Sequence, residues 1–174
     1  YNCSYLPIPV DENIEHLNCY ENQNPIKDVF FTMSHGVNKG VLRKNKVDVR
    51  EPFVKKLISL NPNIIFDIYG FNNQQPIWSQ DFYDSLYKSK MALNLSRINN
   101  VKYYSSNRIA SLIGNGILTF VDANTKLDDF FNNDEVIFYK NVKDLSEKIN
   151  FYKDNKNLRN KIAKNGKKKY FKIF

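Results

Sequence analysis

The stretch Tyr104-Ser-Ser-Asn-Arg-Ile-Ala-Ser-Leu-Ile-Gly-Asn-Gly-Ile-Leu-Thr-Phe-Val-Asp122 decides how this chain folds. Ser105 or Ser106 can cap a helix on which Ile109, Leu112 and Ile113 recur at helical spacing, and Gly114-Asn115-Gly116 supplies the stop. Ile117 to Val121 then runs apolar, β-branched or aromatic on both faces, the signature of a buried strand. Working outward, similar runs lie at Asp28 to Met33, Asn63 to Tyr69, Met91 to Leu95 and Glu135 to Tyr139. Helix-like stretches separate them. Asp48 and Glu51 have capping-box spacing with Pro52 just inside, followed by Phe53, Leu57 and Leu60; Ser79 can cap a helix carrying Phe82 and Leu86. A short helical segment near Thr125 to Phe131 precedes the last strand. Strands buried on both faces and separated by helices need crossovers, so the expected fold class is α/β: a parallel sheet of five strands with helices on both faces.

Two more helices, Asn141 to Lys153 and Asn155 to Asn165, are expected after the fifth strand, with Gly166 as C-cap and Lys167 to Phe174 trailing away. The six glycines are expected at element ends, those at 114 and 116 allowing close packing of helix against strand. Residues 1–27 read differently. Pro7, Pro9, Pro25 and several Asn argue for an extended lead-in, with Ser4 to Ile8 as a strand candidate, so the division is a lead-in or interdomain segment over 1–27 and a domain over 28–174. The chain opens on Tyr1 rather than Met, which suggests a piece of a longer protein.

With 174 residues, 42% hydrophobic and 25% charged, the chain is the size of one domain and can bury a core. Nothing approaches the roughly 20 consecutive apolar residues of a bilayer span. Cys3 and Cys19 lack metal-ligand spacing, and reduced thiols in a cytoplasm fit them best. Of 26 Lys+Arg and 18 Asp+Glu, residues 140–174 hold 12 basic and 3 acidic, leaving the rest at −1. The cationic tail suits nucleic acid, an anionic membrane face or a phosphorylated substrate, and equally a solvated helix face.

In an open parallel sheet, ligands bind beyond the carboxyl ends of the strands. There the first strand runs into Ser34-His35-Gly36-Val37-Asn38-Lys39-Gly40 with Arg43 close behind, a loop that either pairs with phosphate oxygens or is an ordinary glycine turn. It is neither a P-loop nor a G-x-G-x-x-G fingerprint. Ser105, Ser106, Asn107 and Arg108 form a helix start suited to an anion, or simple serine capping. Trp78, after Tyr69-Gly70-Phe71, is a stacking residue or rim packing. His35 has no triad partner in sequence and His16 reads as surface. Asp128-Asp129 with Asp134-Glu135 reads as a solvated turn rather than a metal site.

The 104–122 stretch resembles the nucleotide-sugar-binding segment in the C-terminal half of GT-B glycosyltransferases, group 1 enzymes of the CgeB-like kind. Other segments follow in the family's order: Leu6-Pro-Ile-Pro-Val-Asp11 as the joint between halves, Asp28 to Met33 as the first strand, and Lys39-Gly40 as the basic loop facing donor diphosphate. Phe130 to Tyr139 and Leu158 to Gly166 complete the series. The resemblance implies a Rossmann-like donor-binding domain and transfer of a sugar from a UDP- or GDP-sugar to a polysaccharide or lipid-linked acceptor. It implies no separate cofactor and no metal. Donor diphosphate is then expected between Gly36, Lys39 and Arg43 and the group Ser105, Ser106, Asn107 and Arg108, with Tyr69, Gly70, Trp78 and Ser111 toward the nucleoside. The acceptor and the general base belong to an N-terminal half. Retaining members carry two glutamates eight positions apart; Tyr103 and Ser111 stand there, so neither glutamate's role carries over. A weaker likeness to bacterial fucosyltransferases leaves the donor open. Cytoplasmic location with peripheral contact to the inner membrane is expected; the rival is a non-catalytic module, a flavodoxin-like partner or a nucleic-acid binder using the basic tail.

Overall fold

The computed structural model describes residues 8–34, 48–72, 74–97 and 101–173. Five strands, β1 (Lys27–Thr32), β2 (Phe66–Tyr69), β3 (Ser89–Asn94), β4 (Leu118–Asp122) and β5 (Ile137–Tyr139), form one sheet in the order β2-β1-β3-β4-β5. Every pairing is parallel; Val29 stands against Phe66 on one side and Met91 on the other, Met91 against Leu118, and Phe120 against Ile137. Five α-helices make the crossovers and the end: α1 (Arg50–Leu60), α2 (Ser79–Tyr87), α3 (Asn107–Gly114), α4 (Val142–Asp154) and α5 (Lys156–Ile173). All five expected strands are present. The second starts three residues late, because Ile64 belongs to a turn closed on Asn61. The segment expected as a short helix at 125–131 is two 3₁₀ turns, Ala123–Thr125 and Leu127–Asp129.

Alternation along the strands sorts the core onto two faces. Val29, Phe31, Met91, Leu93 and Phe120 pack with Val54 and Leu57 of α1 and Leu145 and Ile149 of α4. On the opposite face Phe30 and Ala92 meet Leu86 of α2 and Leu112 of α3, while Val121 meets Ile109 of α3 and Tyr170 of α5. Among the described residues no helix is long and apolar enough to cross a membrane.

Several local expectations give way to tertiary contacts. Gly166 does not end a helix: α5 continues to Ile173, and a Cβ at Gly166 would stand 2.3 Å from the Glu135 carbonyl oxygen, so the glycine permits close approach in mid-helix. The tail does not trail away, because Tyr170 is buried, stacks on Phe131 and donates to the Ile8 carbonyl at 2.9 Å. Gly114 and Gly116 make room for the lead-in rather than for a strand; added Cβ atoms would meet Glu15 and Tyr20 at 2.6 and 2.7 Å. The lead-in from Ile8 onward is thus laid on α3 and α5, with the Leu17 and Cys19 amides donating to Asn115 and Lys167 donating to the Glu15 and Leu17 carbonyls. Cys19 is buried, which pushes its thiol up to about 12; Cys3 lies outside the described residues. Ser79 is the first residue of α2 rather than its cap, which is Trp78. Asp48 does not form the expected capping box around α1. Val49 is the N-cap, and Asp48 binds Arg50 instead.

Candidate functional site

The strand order fixes where a ligand can enter. The chain leaves β1 toward β2 on one side and returns through β3 on the other, so the carboxyl ends of β1 and β3 diverge into a crevice. A cleft of about 690 Å³ opens there. Its floor is Thr32, Met33 and Ser34 at the end of β1; one wall is Pro76 to Ser79 with Phe82 and Tyr83 of α2, and the other is Tyr104 to Arg108 with Ser111 of α3. An adjoining cavity of about 320 Å³ shares Ser34, Tyr104, Ser106 and Arg108 and adds Arg50, Ser96 and Arg97.

The two cavities have different chemistry. The larger has an aromatic wall, with Trp78 67% exposed at its rim. The smaller is cationic. Arg108 donates to the Leu95 carbonyl at 2.9 Å and its guanidinium lies 5.5 Å from the centre of the Phe31 ring. Burial, and then the like charge of Arg50, hold the Arg108 pKa down to about 10. An anion between these guanidiniums would offset both effects. Arg50 is buried and grips Asp48 through Nε at 2.9 Å and a terminal nitrogen at 2.8 Å, while Arg97 Nε stands 3.6 Å from the same carboxylate.

Ser106 is the backbone N-cap of α3, yet its side chain makes no cap hydrogen bond. Its buried hydroxyl and that of Ser96 find no partner among the described residues. Such groups cost free energy unless something else satisfies them, and both line the cationic cavity, beside a helix start whose first amides have no intrahelical carbonyl to donate to. No Asp or Glu lines either cavity among the described residues, and no cluster of His, Cys, Asp or Glu there could hold a metal ion. Hydroxyls, amides and guanidiniums converge on one place that suits a phosphorylated ligand with an aromatic or sugar portion.

Of the residues expected from sequence, Trp78, Ser105, Ser106, Asn107, Arg108 and Ser111 all line the larger cleft. Tyr69 and Gly70 do not: Tyr69 bonds to Ser85 at 3.1 Å and packs on Phe30, and Gly70, at φ +72°, leaves room for the Met33 carbonyl, which a Cβ would overlap at 1.8 Å. Gly36, Lys39 and Arg43, with His35, lie outside the described residues. His16 is exposed against Tyr83, as a surface residue should be, and Asp129 is taken up by Lys102 and Tyr103. Arg50 and Arg97 were not anticipated. Arg97 had a legible signal, since it follows the apolar run 91–95 at a carboxyl strand end; Arg50 was masked by the apparent capping box around it.

Residues 43–173 match the family model described as glycosyl transferase-like. The chain belongs to this family. That membership bears out the resemblance to glycosyltransferases, and the parallel sheet with helices on both faces bears out the Rossmann-like fold it implied. No curated protein sequence matches the chain. Among solved structures, one described as the crystal structure of TarM shares its fold, with a TM-score of 0.64 at 12% identity, over 90% of this chain and 34% of that one. The chain therefore spans about a third of the length of TarM.

Proposed function

We propose that this chain is the donor-binding half of a glycosyltransferase, and that the paired cavities hold a nucleotide sugar. The observation that carries the reading is the meeting of Arg50, Arg97 and Arg108 with two unsatisfied hydroxyls at the sheet's switch point. A nucleoside lies along the aromatic wall with Trp78 against the base and Ser111 deeper in the cleft. The diphosphate sits at the junction, on Ser105, Ser106, the amides at Asn107 and the Arg108 guanidinium. As the glycosyl bond breaks, negative charge builds on the departing diphosphate, and fixed guanidiniums and amides stabilise it without reorganising.

The reaction needs no cofactor beyond the UDP- or GDP-sugar itself. The acceptor, a sugar chain or lipid-linked sugar, and the general base come from an N-terminal half. The setting is cytoplasmic, with the lysine face of α5 available to an anionic membrane face. Calorimetric titration with UDP and with GDP tests the reading. Saturable binding of one is expected, and Arg108→Ala should weaken it by about 1.5 to 3 kcal/mol, the range of hydrogen bonds to charged groups, or roughly tenfold to a hundredfold. Equal affinities for the two proteins, or binding only of oligonucleotide with steep salt dependence, would overturn it.

A further inference from the structure

Asp48 is an acidic residue embedded in the cationic side of the site. Only 6% of it is exposed, and its Oδ1 accepts from the Arg50 amide at 3.0 Å and from Arg50 Nε at 2.9 Å, while Oδ2 accepts from an Arg50 terminal nitrogen at 2.8 Å. That fork-on-carboxylate geometry fixes the plane of the Arg50 guanidinium. Arg97 is held by the same oxygen more loosely, at 3.6 Å and with 44% of its side chain exposed. Both guanidiniums line the cavity beside Ser96 and Ser106. A residue serving only to start α1 would spend its carboxylate on backbone amides. Asp48 sits one position before the N-cap and spends it largely on two arginine side chains whose chain positions are 47 apart.

Arg50 and Arg108 already repel one another. A third guanidinium held at the same cavity without a counter-charge would be driven toward solvent.

We propose that Asp48 is a positioning residue of the diphosphate site, a buried carboxylate that locks Arg50 and tethers Arg97 so that both face the distal phosphate. This rests on the reading of the cleft as a nucleotide-sugar site. Arg50 acts as the fixed contact. Arg97 exchanges its loose hold on Asp48 for the phosphate when the donor enters.

Asp48→Asn distinguishes positioning from simple charge balance by the sign of its effect. If the carboxylate only offset positive charge, its removal would tighten anion binding. Positioning requires weaker binding of UDP or GDP, by about tenfold, the scale of one charge-assisted hydrogen bond, with the affinity for UMP or GMP changed less than about twofold because the proximal phosphate rests on Ser106 and Arg108. Arg97→Lys, which keeps the charge and loses the fork, should show the same diphosphate-selective loss. Unchanged or tighter diphosphate binding in Asp48→Asn, or an equal loss for mono- and diphosphates at unchanged melting temperature, overturns the proposal. Should Asp48→Asn fail to fold, Arg97→Ala takes its place, since that side chain is half in solvent; absence of a diphosphate-selective loss there also overturns it. A wild-type chain that binds none of the four nucleotides overturns the site reading itself, whereas wild-type binding with an indifferent Asp48→Asn overturns only the role of Asp48.

Discussion

The two ends of the sheet handle buried polar groups in opposite ways. At the amino end, Asp28 is 1% exposed and accepts from the Ile65 amide at 2.8 Å and from Lys90 at 2.7 Å, with Lys153 at 3.1 Å. Nearby, Arg159 closes the end of α4 by donating to the Tyr152 and Lys153 carbonyls. Charge there is matched within the protein. At the carboxyl end, the buried side-chain atoms without a partner gather among the described residues: Asn94 Oδ1 and Tyr139 OH at the ends of β3 and β5, and the hydroxyls of Ser96 and Ser106. Arginines gather there too, Arg50 forked on Asp48 and Arg108 donating to the Leu95 carbonyl beside them. A polar group that is satisfied internally stabilises the fold; the two serine hydroxyls left without a partner beside the cavity are the ones the proposed donor site would use.

The contrast breaks most visibly at Asp28. Asp28→Ala leaves two lysines facing each other and should destabilise the fold by about 3 kcal/mol, the low end for breaking a buried pair. The low end applies because Lys90 and Lys153 keep 24% and 26% of their side chains in solvent. Urea unfolding measures the loss, and nucleotide affinity of the folded protein should be unchanged; a binding defect without a stability defect would erase the distinction between the two ends. The same group sets an acid limit. Burial alone would raise the Asp28 pKa, but the Ile65 amide and the two lysines outweigh it and hold the carboxyl below its ordinary 3.8. Its contribution is therefore complete above 3.8 and is lost as the pH falls through the lower folded value, a component that acid unfolding of Asp28→Ala should lack.

At the other end the sign reverses. Ser106→Ala removes a buried hydroxyl that no described residue satisfies, so the unliganded protein should be as stable as wild type or more stable by up to about 1 kcal/mol, while UDP or GDP binding weakens about fivefold. A melting temperature that falls together with affinity would mark Ser106 as structural after all. The smallest effect is expected at Trp78. Because it is 67% exposed, Trp78→Ala should alter stability by less than about 0.5 kcal/mol. Base stacking at that rim is worth about 0.5 kcal/mol in affinity, the low end for an aromatic pair. As the chain's one tryptophan, it also reports the site directly: its fluorescence should change saturably with UDP or GDP.

Much of the architecture was legible because a parallel strand covered on both faces must be an apolar run, wherever it sits. β3 and β4, buried along nearly their whole length, stand close to where their runs predict. β2, one of the two edge strands, is half-buried throughout and begins later than its run suggests. The misreading of Gly166 has the same root. Glycine favours helix ends through its own backbone freedom, but here the close passage of the Glu135 carbonyl decides, and that neighbour lies 31 positions away. Arg108 and its serines could be found from sequence because one helix start carries them all. Arg50 could not, since Asp48 and Glu51 have the spacing of a capping box, whereas the Asp48 carboxylate is taken up by Arg50 and, from a distant segment, Arg97.

Strand number, strand order along the chain and the helix start at Asn107 were determined by sequence alone, because run length, periodicity and turn residues act over a few positions. The meeting of Arg50, Arg97 and Arg108 in one cavity was decided only by the tertiary structure. Parallel pairing of β1 with β3 brings three separate segments to one crevice, and whether a guanidinium or hydroxyl is satisfied depends on everything around it, not on its neighbours in the chain.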